Sequence, residues 1–277
     1  MPNAKINGVN LYYQVEGEGE PVLFIMGTGL THALWSRQID AFKHKYQCIS
    51  YDNRGTGETD RTKDGHTVAN YAEDAAGLLD HLKVSSAHVA GWSLGSCIGQ
   101  ELAIHHPDKV RSLILIATWC RPYPFLRRRF EVQTEIAKLG NQRLLGEYSV
   151  LHLFRADHLD EHDDEVLQFQ RRSLEGPGRS PMETMIAHYR MDIEHDTAER
   201  LSQIKVPTLV LGGEDDALIR APYQEEVHRR IAGSEINLIP KADHMALALI
   251  PDQVNRIALD FLERRFGKQA GPKARAS

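Results

Sequence analysis

The sequence predicts an α/β protein: a mostly parallel sheet with helices on both faces, interrupted late in the chain by a helical insertion. Three observations predict it. Continuous apolar runs at residues 22–25, 47–51, 88–90 and 110–117 are the kind expected of strands covered on both faces. Helical stretches alternate with them four times over, and that alternation requires crossover helices and a parallel sheet. From about residue 119 to 200 no apolar β-run occurs, and Arg, Glu, Gln, His and Leu dominate before the sheet rhythm resumes.

Residues 4–15 read as a β-hairpin, because Asn7-Gly8 supplies the positive φ angles of a two-residue turn between β-formers. Residues 16–21 are a Gly-rich loop, 34–42 a helix and 47–51 a strand. The polar, turn-rich stretch 52–60 reads either as a rigid loop beside a site or as a self-bonded surface turn. Val68, Tyr71, Ala72, Ala75, Leu78, Leu79 and Leu82 follow helical spacing. In the insertion, helices are expected at 124–139, 142–154, 163–174 and 181–195, with Gly176-Pro177-Gly178 dividing the last two. The acidic run 160–165 reads as a solvated helix start, and Arg127-Arg128-Arg129 as a solvated face. Strands follow at 206–211 and 235–239, a helix at 222–231, and a last helix with Val254, Ile257, Ala258, Phe261 and Leu262 on one face. The organisation expected is a core of residues 1–118 and 201–277 with a cap of residues 119–200.

A chain of 277 residues suits one core with an insertion. The net charge of −5, with no basic stretch interleaved with aromatics, leaves no nucleic-acid footprint. Cys48, Cys97 and Cys120 are odd in number and widely spaced, which suits small apolar side chains in a reducing compartment. No apolar run approaches the ~20 residues of a membrane span, and the N-terminus lacks a basic-then-apolar signal. The expected location is therefore the cytoplasm, with no membrane partner. The tail 267–277 is Gly-, Pro-, Lys- and Ala-rich and is expected to fray. The expected oligomeric state stays open, with a homodimer one option.

The chemistry centres on Gly91-Trp92-Ser93-Leu94-Gly95, set between an apolar strand and a helix. A serine in such a strand-to-helix turn takes strained backbone angles that push its hydroxyl above the sheet. It needs a base, a group to orient that base, and donors for the developing oxyanion. Of the 14 histidines, only His244 sits in a loop directly after a terminal sheet strand. Asp215 and Asp216 follow the preceding strand, and the spacing from Gly213 favours Asp216. The chain order Ser93, Asp216, His244 is the one this elbow demands. The oxyanion donors expected are the amide of Leu94 and one from Met26-Gly27-Thr28-Gly29, Thr28 first and Gly29 second.

These stretches, together with Asp52-Asn53-Arg54-Gly55-Thr56-Gly57, His106-Pro107-Asp108-Lys109-Val110 and Asp243-His244, resemble the α/β-hydrolase fold serine hydrolases over about residues 4–266. Within the family the chain is most similar to small capped esterases, enol-lactonases and cofactor-free haloperoxidase-like enzymes. The resemblance implies an eight-stranded, mostly parallel sheet with a helical cap. It departs from the common pattern at Met26, where a histidine often stands, and at Asp243, where a glycine often precedes the histidine. Ser93 at the elbow separates it from relatives that use an aspartate there, the epoxide hydrolases and haloalkane dehalogenases.

The function expected is hydrolysis of a small-molecule carboxylic ester or lactone through an acyl-enzyme, with no metal or other cofactor. Met26, Gly27, Trp92, Trp35, Trp119, Tyr123 and Phe125 are the expected lining of a pocket between sheet and cap, Trp92 foremost. Two alternatives stay open. One is a carbon–carbon bond hydrolase, which Arg54 or a cap arginine holding a substrate carboxylate would favour. The other is a slow-turnover ligand sensor.

Overall fold

The computed structural model describes residues 2–175 and 180–267. The first hairpin pairs β1 (Asn3–Ile6) with β2 (Val9–Glu16), and Asn7 and Gly8 take φ of 47° and 83° at its tip. β3 (Glu20–Ile25) leads through a 3-10 turn at His32–Trp35 into α1 (Ser36–Phe42) and β4 (Tyr46–Tyr51). Next come α2 (Val68–His81), β5 (Ala87–Trp92), α3 (Leu94–His105) and β6 (Val110–Ile116). Thr67 caps α2, its hydroxyl accepting from the Asn70 amide.

Four helices then separate β6 from the next strand: α4 (Pro124–Lys138), α5 (Gln142–Leu153), α6 (Ala156–Glu175) and α7 (Met182–Glu194). α6 begins earlier than the sequence suggests and kinks at His162, so the acidic run straddles the kink and Asp163 opens its second segment. The Gly176-Pro177-Gly178 divider lies outside the described residues, as do residues 268–277 of the tail.

The chain returns through β7 (Thr208–Gly213), α8 (Ala221–Arg230), β8 (Glu235–Ile239), the short α9 (Ala246–Leu249) and α10 (Pro251–Phe266). β7 starts two residues later than the apolar run because Pro207 has no N–H for the ladder. The Pro207 carbonyl still accepts from the Leu113 amide.

The eight strands form one sheet in the order β1-β2-β4-β3-β5-β6-β7-β8. β2 runs antiparallel to β1 and β4, and every later pairing is parallel. Residues 22–25 of β3 and all of β5 are buried, as covering helices on both faces require. Cys48, Cys97 and Cys120 are buried and free. Among the described residues no helix is long and apolar enough to cross a membrane. The parallel strands bring the ends of β3, β5, β7 and β8 to one rim of the sheet, beneath α4–α7. Sites collect at that rim in open parallel sheets.

Candidate active site

Ser93 joins β5 to α3 with φ 56° and ψ −123°. A non-glycine residue held there costs on the order of 1–3 kcal/mol and persists only where its surroundings enforce it. They do so here by close packing. A Cβ on Gly91 would run into the Gly95 carbonyl, and one on Gly95 into the carbonyl of Ile25 at the end of β3. The Ser93 amide donates to the Ile116 carbonyl at 2.9 Å, which fixes the turn to β6. Leu94 is the first residue of α3, so its amide has no partner within the helix.

His244, five residues past β8, turns Nδ1 to Oδ2 of Asp216 at 2.8 Å, with both side chains essentially fully buried. The other oxygen of Asp216 accepts from the amides of Leu218 and Ile219 at 2.9 and 2.7 Å, which locks the carboxylate. A carboxylate can only accept, so it orients the neutral imidazole of His244 with the proton on Nδ1 and the lone pair on Nε2. Asp215 points elsewhere, to Arg155 at 2.6 Å. Asp243 is spent on backbone: it accepts from the amides of Arg155 and Met245, both at 2.9 Å, and burial pushes its carboxyl above the ordinary value.

The loop after β3 is braced from two sides. From the core, the Asn53 side chain donates to the Met26 carbonyl at 2.9 Å. From the cap, the Gly29 amide donates to Nδ1 of His188 at 3.1 Å, and the Thr28 hydroxyl to Asp192 at 2.8 Å. The second-choice donor, Gly29, is thus already committed; among the described residues the Thr28 amide has no acceptor. Thr184, His188 and Asp192 lie four residues apart on α7 and are all buried, Thr184 donating to the Gly55 carbonyl. This stripe, and Asn53, escape the sequence reading. Polar residues recurring every fourth position in a cap helix were the available signal. Burial pushes His188 down to about 3 and Asp192 up to about 8, the Thr28 hydrogen bond acting against the latter.

Of the two readings of the stretch 52–60, the surface turn gives way to the rigid loop, whose Asn53 braces the loop after β3. Residues 52–56 are buried, and Arg54 is clamped by two 2.7 Å bonds to Asp74.

Ser93, His244, Trp92 and Thr28 face one cavity of about 140 Å³ between the sheet rim and the cap. The Trp92 ring lies 5.0 Å from the His244 ring, centroid to centroid. The remaining lining comes from Gly29 and Leu30 of the loop after β3, from Leu218 and from the cap, and includes Leu145, Val150, Phe169 and Met185. No Lys, Arg, Asp or Glu is among the described lining residues.

Six residues expected in the lining are not there. Met26 and Gly27 sit behind it: Met26 is fully buried, and a Cβ on Gly27 would lie 3.0 Å from the Ser93 Cβ. Trp35 packs on Phe24 in the core, and Trp119 packs between Phe130 and His195. Tyr123 stacks on Tyr223 at 3.9 Å and donates to Glu226. Phe125 is on the surface under the guanidinium groups of Arg129 and Arg220. Each aromatic found a better partner than the cavity.

An imidazole oriented by a carboxylate, a hydroxyl on a strained turn and two nearby amides can together perform acyl transfer. Residues 20–251 match the family described as the alpha/beta hydrolase fold. A protein of Azorhizobium caulinodans named carbamate hydrolase RutD is 33% identical, the alignment covering 94% of this chain and 98% of that one. A thermophilic esterase from Thermogutta terrifontis superimposes with a TM-score of 0.85 at 26% identity, covering 95% and 99% of the two chains. The enol-lactonase from Burkholderia xenovorans LB400 gives a TM-score of 0.85 at 24% identity, covering 94% and 99%, and shares the fold.

Proposed function

The chain belongs to the α/β-hydrolase fold family and is a hydrolase; on that premise we propose that it cleaves carboxylic esters or lactones through an acyl-enzyme on Ser93. One observation carries the reading: the locked Asp216–His244 pair opens on the same cavity as the strained Ser93.

In this reading Ser93 Oγ attacks the carbonyl carbon while Nε2 of His244 takes its proton. Asp216 holds Nδ1–H and stabilises the imidazolium that forms. The carbonyl oxygen becomes an oxyanion received by the amides of Leu94 and Thr28, the latter in a loop already braced by Asn53 and Asp192. Collapse of the tetrahedral intermediate breaks the bond to the leaving alcohol, which takes the proton from His244. Water, activated by the same nitrogen, then releases the acid.

A cavity of about 140 Å³ is of the size that holds a benzene-scale group, so small acyl groups are favoured. Carbamates undergo the same acyl transfer and belong in the substrate class on the strength of the RutD-named relative. The carbon–carbon hydrolase alternative loses its support: Arg54 is occupied by Asp74, and no charged side chain among the described lining residues would hold a substrate carboxylate.

The test is a panel of p-nitrophenyl acetate and butyrate, aliphatic lactones, aryl carbamates and a vinylogous dione, assayed with the parent and Ser93→Ala. Turnover of esters or lactones that disappears in Ser93→Ala supports the proposal. Turnover of the dione alone, or absence of turnover on every member, overturns it.

A further inference from the structure

The underside of the cap carries two buried hydrogen-bond acceptors with nothing to accept from. His152 on α5 is 1% exposed, lines the cavity, and its Nε2 has no partner among the described residues. The Tyr148 backbone one turn earlier on α5 favours a proton on the ring. A carbonyl only accepts, so a neutral ring that turns Nδ1–H toward it presents a lone pair at Nε2. The ring stays neutral, since burial, with Arg129 and His244 near it, pushes its pKa down to about 3.

Gln133 on α4 is 4% exposed, lines the same cavity, and its Oε1 is likewise unpartnered. The orientation of its amide is fixed by a neighbour. Ser149 gives its hydroxyl proton to the Leu145 carbonyl at 2.7 Å, so its oxygen can only accept, and it accepts from Nε2 of Gln133 at 3.2 Å. Oε1 is therefore turned away from Ser149, unbonded.

Two buried acceptors left bare are unfavourable, and an apolar pair would have packed there without that penalty. We propose that Gln133 and His152 form a recognition subsite in the cap for an uncharged hydrogen-bond donor on the substrate, a hydroxyl or an amide-type N–H. This rests on the acyl-transfer reading for what happens at Ser93, but not for the binding itself. It narrows the substrate class to esters, lactones or carbamates that carry such a donor away from the reacting carbonyl. A site built to pair a polar substrate group discriminates strongly against the analogue lacking it, because its own groups are then left unpaired.

The experiment compares matched pairs that differ by a hydroxyl or primary amide in place of a methyl. One series places the group at the end of the acyl chain, 6-hydroxyhexanoyl against heptanoyl and adipamoyl against hexanoyl p-nitrophenyl esters. A second places it on the leaving group, 3-hydroxypropyl against butyl butyrate. Binding of 6-hydroxyhexanamide and heptanamide to Ser93→Ala by titration calorimetry is read alongside, so that failed turnover leaves the subsite test intact.

The parent prefers the donor-bearing member of at least one series by ~10-fold or more in kcat/KM. Gln133→Met and His152→Leu each collapse that preference, and His152→Gln, which retains an acceptor, restores part of it. In the binding arm 6-hydroxyhexanamide binds more tightly than heptanamide. Absence of preference in every series and in binding, or a preference that survives both substitutions, overturns the subsite. Should Gln133→Met and His152→Leu fail to fold, the His152→Gln comparison and the parent's own preference decide it by the same criteria.

Discussion

Nδ1 of His244 lies 2.8 Å from Asp216, while the adjacent carboxylate of Asp215 lies 2.6 Å from Arg155. Two neighbouring acids are thus divided between an imidazole and a cap guanidinium. Asp216→Asn should lower kcat/KM on p-nitrophenyl butyrate by about 10³–10⁴-fold, since an amide can favour the wrong tautomer of His244. Asp215→Asn should stay within ~3-fold, because an ion pair this exposed contributes little. Steady-state kinetics of the two variants, side by side, checks the assignment.

A second expectation concerns the gap between the oxyanion loop and the elbow. An Ala side chain at Gly27 would meet the Trp92 carbonyl at 2.9 Å and the Ser93 Cβ at 3.0 Å, so the loop must shift. Displacements of about 1 Å near reacting atoms can lower rates by about 10²-fold. Gly27→Ala should lose at least ~10-fold in kcat. Gly99→Ala, whose Cβ would meet only ordinary contacts at 3.6 Å and beyond, should not. Comparison of kcat in the two variants, with melting curves to confirm folding, tests this.

Much of this geometry was legible in the sequence, for definable reasons. The elbow, Asp216 and His244 each follow an apolar strand run directly, so the sheet itself dictates where they stand. The Asn7-Gly8 hairpin was legible because its turn needs positive φ at both positions. The cavity lining was not. Trp35, Trp119, Tyr123 and Phe125 are large and apolar, and a core neighbour, a stacked ring or a surface guanidinium satisfies such a ring as well as a pocket does. The true lining joins Gln133, His152, Met185 and Leu218, whose meeting depends on how the cap helices dock. Local periodicity carries no trace of that docking.

Asp192 gives a prediction about stability. Burial raises its carboxyl to about 8 in the folded protein, against about 3.9 in the unfolded chain. Between these values the folded state binds the extra proton, so this group's contribution to stability falls as pH rises from about 4 to about 8. Asp192→Asn keeps an acceptor for the Thr28 hydroxyl without the titrating proton. Its Tm should gain on the parent's between pH 5 and pH 9, by roughly 2–4 °C per kcal/mol of linkage. Calorimetric scans across that range read it, and a Tm difference that does not change with pH would contradict it.

The buried histidines act in the opposite direction. Burial pushes His188 down to about 3 and His195 down to about 4, against an unfolded value near 6.5. Above about 6.5 both states are neutral and nothing is lost. As pH falls below it, only the unfolded chain takes up these protons, and stability drops by up to about 1.4 kcal/mol per pH unit for each group. Urea midpoints should therefore fall from pH 6.5 to pH 4.5. His195→Gln, which retains a donor toward Gln100, should make that fall shallower.

The central claim is a covalent acyl-enzyme on Ser93, and its most direct measurement is the intact mass of the protein after treatment with a fluorophosphonate probe. One equivalent of adduct is predicted, mapped by peptide sequencing to Ser93 and accompanied by complete loss of p-nitrophenyl butyrate turnover; Ser93→Ala should take up none. An adduct on another residue, or turnover that persists once Ser93 is modified, would contradict the account.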